Sequence, residues 1–230
     1  MAPGTKALAA GTAASARRGV VVRLGLAVAF YLAALWVCDL INIYNFAETR
    51  NLPSDLPLVD ALHARLPFVD HITAGSPFFA ITDRLMFTNL SFTAVLILWQ
   101  PRRLELIAEW MFLHGALLLA RGLTVMSTSL PSPIPACLGA TTPIMSTAIP
   151  IYCNDLMFSG HTVTNVLACM FSLSSRIPLA IKILHAVIVS ILILVSIATR
   201  DHYTMDCVVA LLFTCAVFGN RRHEAASLFS

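Results

Sequence analysis

Charged side chains are scarce in this sequence of 230 residues. Asp, Glu, Lys and Arg make up 12% of the chain, against roughly 25% in an ordinary soluble domain. Apolar residues reach 58%, and the mean hydropathy is +0.80. This composition argues strongly against a water-soluble globular protein. The formal net charge is only +3, and no basic run is long enough to follow a phosphate backbone, so nucleic-acid binding has little support. The partner to expect is lipid.

The apolar residues are gathered into six long stretches. A helix needs roughly 20 mostly apolar residues to cross the hydrocarbon core of a membrane. Such stretches occur at about 20–43, 85–99, 104–126, 156–173, 179–199 and 204–218. They predict an all-α integral membrane protein, a six-transmembrane helical bundle. Residues 20–219 are expected to form one catalytic membrane domain, with a disordered tail at 1–19 and a second tail at 220–230.

Positive charges assign the two sides of the membrane, because Lys and Arg near span ends stay in the cytosol. Ten of the 15 Lys and Arg residues lie on one side of the predicted bundle. Both termini are therefore predicted to be cytosolic. Segments 44–84, 127–155 and 200–203 share the lumenal or exoplasmic side, where we expect the active site.

The six cysteines lack the Cys-x-x-Cys or Cys/His spacing of a zinc site, and no metal is predicted. Cys137 and Cys153 fall in one predicted lumenal loop, which makes a disulfide between them a hypothesis.

Two clusters of ionisable residues lie at lumenal span ends. One is CNDLMFSGHT at 153–162, and the other is DHYTMD at 201–206. Ionisable groups are costly in a membrane, so such clusters indicate a functional site. Residues four apart share a helix face, so Asp206 can reach a ring nitrogen of His202 and stabilise its protonated form.

His161 and His202 enter from the same side on different spans and can therefore meet across one substrate. This arrangement favours phosphoryl transfer, in which one imidazole attacks phosphorus and the other serves as acid and base. The scheme requires no metal and no other cofactor. Arg121, at the lumenal end of the third span, is expected to neutralise the phosphoryl oxygens. His114 and His185 are interpreted as structural or outside the site, and the sequon at Asn89 is discounted because it lies in a span.

The motifs SGHT at 159–162 and HYTMD at 202–206 resemble those of the sphingomyelin synthase, or sphingolipid synthase, family within the lipid phosphate phosphatase-like superfamily. Residues 121–124 with 128–131, residues 153–162 and residues 201–210 are each similar to a motif of that family. The resemblance covers roughly residues 20–220. PLVD at 57–60 matches the family's Pro-Leu-Pro-Asp only in part, and Asn154 stands where glycine is usual, but neither departure removes a catalytic group.

The resemblance implies His202 as a nucleophile that becomes phosphorylated, Asp206 as its orienting carboxylate and His161 as general acid and base. The expected substrate-binding residues are Arg121, Asp155, Ser159, Asp201 and Tyr203. The family's reaction moves a phospho-headgroup from a glycerophospholipid to ceramide and releases diacylglycerol. The resemblance thus implies a phosphotransferase of sphingolipid metabolism, of sphingomyelin synthase or inositol phosphorylceramide synthase type, in the Golgi or plasma membrane.

Several alternatives stay open. A lipid phosphatase would resolve the phospho-histidine with water, although the Arg-Pro and Ser-Arg-x5-His motifs of that branch are missing here. A transferase using diacylglycerol as acceptor and a non-catalytic lipid-binding protein are the others. Phosphocholine is the favoured headgroup, with phosphoinositol and phosphoethanolamine open. The oligomeric state, including a homo-oligomer, is open too.

Overall fold

The residues that the structure describes form six α-helices and the segments between them. The computed structural model describes residues 3–49, 58–73, 75–128, 130–137, 144–145, 150–151, 153 and 156–227. The helices are α1 (Pro3–Thr49), α2 (Ile81–Leu98), α3 (Arg103–Ser127), α4 (Gly160–Ser174), α5 (Leu179–Ala198) and α6 (Thr204–Ser227). A single 3-10 turn (Pro135–Cys137) and two antiparallel two-residue strands, β1 (Ile144–Met145) and β2 (Pro150–Ile151), lie between α3 and α4. The predicted helical architecture is thereby confirmed for the described residues.

Five segments are long and apolar enough to cross a membrane. Within the described residues they are Arg18–Glu48 of α1, all of α2, α3 and α5, and Thr204–Arg221 of α6. Helix α4 has 15 residues, which gives a length of ~22 Å at 1.5 Å per residue, against ~30 Å of hydrocarbon. The protein is therefore an integral membrane protein by its apolar helices, and the sixth crossing stays a prediction.

Helix ends differ from the predicted spans in three places. Helix α4 begins at Gly160 and not near residue 156, because Met157 has a positive φ of 76° and the Ser159 hydroxyl caps the helix. Residues 3–19, expected in a disordered tail, belong to α1, since their many alanines favour a helix. Residues 220–227, expected in the second tail, continue α6. The division into tails and a catalytic domain stays a prediction.

Helix α4 lies at the centre of the bundle. It packs against α2, α3, α5 and α6. Its Val163, Leu167 and Phe171 are fully buried and form a core with Leu117 of α3 and Phe218 of α6. The amino-terminal end of α4, which carries His161, is therefore held by helices on several sides.

Helix α1 packs against α3 through two glycines that lie two turns apart. A Cβ atom on Gly115 would lie 2.9 Å from the ring of Phe30, and one on Gly122 would lie 2.8 Å from Ile41 Cδ1. A larger side chain at either glycine would force the contacting side chain of α1, or the helix itself, to shift. This close approach places the carboxyl-terminal half of α1 beside Arg121.

A buried polar network links α2, α4 and α5 inside the bundle. His185 lies 2.7 Å from Ser172 Oγ and 2.8 Å from Asn89 Oδ1, and the Asn89 amide donates to Asn165 Oδ1 at 2.8 Å. Because these groups satisfy one another, they can be buried at low cost. The network gives His185 and Asn89 polar partners inside the bundle.

The predicted disulfide between Cys137 and Cys153 is present, with the two Cα atoms 5.6 Å apart. It packs against Phe46, Ile72 and Ile134. The bond therefore joins the loop after α3 to the segment before α4, next to residues of α1 and of the loop before α2.

Candidate active site

Residues of α1, α2, α3 and α4, together with the loops that precede α2, α4 and α6, line a cavity of about 400 Å³. Its wall contains both polar and apolar side chains. The polar ones include His71, Asp83, Arg121, His161, Asp201 and His202, and the apolar ones include Leu35, Met86, Phe87, Leu90 and Leu118. Within the described residues, no group of three or more His, Cys, Asp or Glu side chains is arranged to hold a metal ion.

His202 lies immediately before α6, and Asp206 lies in the first turn of that helix. Asp206 Oδ2 is 3.4 Å from His202 Nδ1, close enough for an ion pair although the atoms are not aligned as a hydrogen bond. The carboxylate accepts hydrogen bonds from the N–H groups of Tyr203 (3.0 Å) and Met157 (3.1 Å). The first of these is half of a capping box. Asp206 is thus fixed behind His202, and its orienting role stays a prediction.

His161 is the second residue of α4 and faces His202. The centroids of the two rings are 6.2 Å apart, and their planes are inclined by 62°. His161 Nε2 lies 2.9 Å from Asp83 Oδ1 of α2. Sequence reasoning missed Asp83; the signal was an acidic residue at the start of an apolar span, where a charge is costly.

A second buried pair joins His71 and Asp201. His71 Nε2 is 2.6 Å from Asp201 Oδ1, and the two side chains are 2% and 9% exposed. Burial alone would raise the pKa of Asp201, but the hydrogen bond with His71 and the charges of His71, His161 and His202 outweigh it and hold that pKa below its usual value. Asp201 therefore stays ionised in the cavity wall. Sequence reasoning found Asp201 and missed His71.

Arg121 is buried at the junction of α1, α3 and α4. Its Nε donates to the Phe158 carbonyl at 3.1 Å, and its Nη1 lies 3.2 Å from Cys38 Sγ. A Cβ on Gly160 would lie 3.3 Å from Arg121 Nε, so a glycine keeps the guanidinium against the start of α4. A cation and a helix amino terminus side by side favour an anion such as phosphate.

Two predicted substrate-binding residues are engaged elsewhere. The Ser159 hydroxyl accepts the Thr162 N–H at 3.1 Å as the cap of α4. The Tyr203 hydroxyl donates to the Pro131 carbonyl at 2.8 Å and accepts the Leu58 N–H at 3.0 Å. Neither borders the cavity. Asp155 lies outside the described residues. A role in binding substrate stays a prediction for all three.

The loop before α2 braces the start of α6. Asp60 accepts hydrogen bonds from both the N–H and the hydroxyl of Thr204, each at 2.7 Å. Burial alone would raise the pKa of Asp60, but these bonds and the nearby His63 lower it to about 2. His63 Nε2 lies 3.1 Å from the His202 carbonyl oxygen, and its ring stacks on Tyr203. The loop therefore fixes the backbone that carries His202.

Three residues with positive φ directly precede or lie close to the helices that form the site. They are Ala80 (53°) before α2, Met157 (76°) before α4 and Arg200 (64°) before α6. This conformation is uncommon for residues other than glycine and costs of order 1–3 kcal/mol each. Strain of this kind occurs where a structure must aim particular side chains. Here the three helices carry Asp83, His161 and Asp206.

Residues 152–224 match the family model described as PAP2 superfamily C-terminal. The matched segment contains His161, Asp201, His202 and Asp206.

The chain is also 31% identical over 125 residues to a Phosphatidylethanolamine:ceramide ethanolaminephosphotransferase of Trypanosoma brucei brucei. It is equally similar to the protein of that name from strain 927/4 GUTat10.1. Each match covers 49% of this chain and 39% of the relative, so the chain spans about two fifths of the length of these curated relatives. The resemblance to sphingolipid synthase-type enzymes of the PAP2-like superfamily is confirmed.

Proposed function

We propose that the protein is a sphingolipid synthase, which moves a phospho-headgroup from a glycerophospholipid to ceramide and releases diacylglycerol. The observation that carries the proposal is the facing pair His161 and His202 in one cavity, with Arg121 in the same wall. A cavity lined by both polar and apolar side chains suits a lipid, which has a charged phosphate and an apolar body. The names of the trypanosome relatives support ceramide as acceptor and sphingolipid metabolism as the setting.

In the first step His202 attacks the donor phosphate. Because His202 Nδ1 faces Asp206, Nε2 is the nitrogen that is placed to form the bond to phosphorus. The bond between phosphorus and the diacylglycerol oxygen breaks, and protonated His161 donates its proton to that oxygen. Arg121 balances the charge on the phosphoryl oxygens, and the product is a phospho-histidine.

In the second step His161, now neutral, accepts the proton of the ceramide primary hydroxyl. The ceramide oxygen attacks phosphorus, the bond between phosphorus and nitrogen breaks, and His202 is restored. The Asp83 carboxylate stabilises the imidazolium form of His161, which exists before the first proton transfer and again after the second. The same cycle with water as acceptor would be a phosphatase reaction.

The proposal includes a topology. We infer six crossings with both termini cytosolic and the active site on the lumenal or exoplasmic side, within a catalytic domain of residues 20–219. Support comes from the site itself: alternating helices bring the ends of α1 and α3 and the starts of α2, α4 and α6 to one side, where the cavity residues lie. A Golgi or plasma membrane location follows from the family resemblance.

The histidine chemistry is the same for phosphocholine, phosphoinositol and phosphoethanolamine. Sequence reasoning favoured phosphocholine, whereas the names of the relatives favour phosphoethanolamine. The choice of headgroup must therefore depend on other residues of the cavity wall and not on the catalytic residues.

The function is tested with purified protein in vesicles that contain labelled ceramide and one donor lipid at a time. We expect a labelled phosphosphingolipid, identified by mass spectrometry, from the unmodified protein and none from His202→Ala. His223→Ala, at the far end of α6, is the matched histidine control and should stay active. A donor with labelled phosphate should leave an acid-labile label on the protein that His202→Ala lacks. If phosphate or phospho-headgroup is released into water and no phosphosphingolipid forms, the protein is a phosphatase or phospholipase and the proposed function is wrong.

A further inference from the structure

Helix α1 contributes residues to the cavity wall that the phosphoryl transfer does not use. Among them is Asn42, which is only 9% exposed. Its Oδ1 atom has no hydrogen-bond partner in the part of the chain that the structure describes. Buried polar atoms are nearly always paired, so an orphan acceptor in a cavity wall calls for a donor from a ligand. An N–H or O–H group supplies what this oxygen lacks.

The position of Asn42 relative to Arg121 defines which part of a ligand it meets. Arg121 Nη1 lies 3.2 Å from Cys38 Sγ, so the guanidinium contacts α1 at that residue. Asn42 follows Cys38 by four residues on the same face, about 6 Å further along the helix axis. A two-carbon link between a phosphate and an amine covers a similar distance. A phosphate beside Arg121 thus brings the far end of such a headgroup to the level of Asn42.

A carboxylate next to Asn42 favours a cation there. Asp39 precedes Asn42 by three residues on α1 and also borders the cavity. Asp83 and Asp201 border the cavity too, but they lie against His161 and His71, which balance their charge. Arg121 is the one Arg or Lys among the described residues of this wall, and it lies one helical turn before Asn42, at the level of Cys38. A headgroup that is both cationic and a hydrogen-bond donor matches a carboxylate beside an unpaired carbonyl oxygen. The hydroxyls of an inositol would pair with Asn42 but would gain nothing from the negative charge.

A quaternary ammonium matches the wall less well. It has no N–H to donate, and proteins hold it with a cage of aromatic faces. Apart from histidines, the aromatic side chains in the described part of this wall are Tyr31 and Phe87. The Tyr31 hydroxyl is engaged with His114 Nδ1 at 3.2 Å. Two rings do not make a cage.

We propose that Asn42 and Asp39 form the binding site for the primary ammonium group of the donor headgroup, so that the donor is an ethanolamine phospholipid. This inference rests on the proposed function and adds to it a headgroup subsite on α1. It assigns the discrimination between ethanolamine and choline to α1, outside the segment that matches the PAP2 family model.

The test compares the full-length protein with Asn42→Leu in vesicles of labelled ceramide and phosphatidylethanolamine, phosphatidylcholine or phosphatidylinositol. Loss of a hydrogen bond to a charged group lowers binding on the order of tenfold or more. We expect the unmodified protein to favour phosphatidylethanolamine by at least that factor, and Asn42→Leu to reduce kcat/KM for this donor alone. Asn42→Asp, which keeps an acceptor, should retain the preference. Asn45→Leu makes the same change outside the cavity wall and should leave the donor ratio unaltered.

The outcomes separate this inference from the proposed function. No phosphosphingolipid from any donor would overturn the proposed function, and the inference with it. Product formed equally well or better from phosphatidylcholine or phosphatidylinositol would leave the synthase standing and refute the ammonium site. If Asn42→Leu lowers kcat/KM equally for all donors, and Asn42→Asp does so to the same extent, the ammonium site is also refuted.

Discussion

Replacing Asp83 by asparagine tests whether the carboxylate behind His161 takes part in proton transfer. The two atoms, Asp83 Oδ1 and His161 Nε2, are 2.9 Å apart, and the Asp83 side chain is only 12% exposed, so water screens the contact little. A hydrogen bond to a charged group contributes about 1.5–3 kcal/mol. At about 1.4 kcal/mol per factor of ten, Asp83→Asn should lower kcat roughly 10- to 100-fold.

The loss should appear in kcat and leave KM nearly unchanged, because Asp83 acts on the imidazolium that forms during the reaction and not on bound lipid. The assay is the initial rate of phosphosphingolipid formation over a series of donor concentrations. Asp83→Glu should recover part of the rate, since it restores the charge. Glu48→Gln, an exposed acid near the end of α1, is the control for loss of a carboxylate. An unchanged kcat in Asp83→Asn, in a protein whose His161→Ala variant is inactive, would refute the role of Asp83.

Three further changes follow from the geometry. In Gly160→Ala the new methyl group meets the Arg121 guanidinium, so the KM for donor lipid should rise several-fold in steady-state assays while the far-ultraviolet circular dichroism stays the same. Replacing Cys137 and Cys153 by serine removes a disulfide between residues 16 positions apart. The free energy of unfolding should fall by up to about 3 kcal/mol, which would appear as a lower Tm that no longer changes when reductant is added. The pKa of Asp60 in the folded protein is about 2, below its ordinary value of 3.8. The ionised carboxylate therefore stabilises the fold fully above about pH 4, and this stabilisation is lost as the pH falls toward 2. Asp60→Ala should lower Tm at pH 7 and should make Tm depend less on pH between about pH 4 and pH 2.

The helices could be predicted from the sequence because one effect decides them. Burying roughly 20 apolar residues in hydrocarbon outweighs local preference, and five of the six apolar stretches correspond to described helices of that kind. The stretch at 156–173 instead gives the shorter helix α4, which packs between the others. Local chemistry decides the ends. The apolar character of Leu156, Met157 and Phe158 predicted an earlier start for α4, but a left-handed backbone at Met157 and the capping hydroxyl of Ser159 delay it to Gly160.

The site could be predicted only where its partners are near in sequence. Asp206 lies four residues after His202, and the chain enters α6 between them, so the two side chains stay close even though His202 itself precedes the helix. His161 and Asp83 are 78 positions apart and meet because α2 packs on α4, which no local pattern reveals. His71 reaches Asp201 through a loop for the same reason. Tyr203 was expected in the site on account of its motif, yet its hydroxyl ties two loops together.

The segment that matches the PAP2 family model and the part of the chain before it contribute differently to the site. The segment 152–224 holds His161 and His202, the groups that we expect to make and break bonds to phosphorus. Asp83, Arg121 and Asn42 come from the part before it and line the same cavity. We therefore expect the chemistry common to phosphatases and transferases to lie in the matched segment, and the discrimination between donor lipids to lie in the residues before it. Exchanging α1 between two such enzymes should accordingly alter donor choice and leave the phospho-histidine chemistry in place.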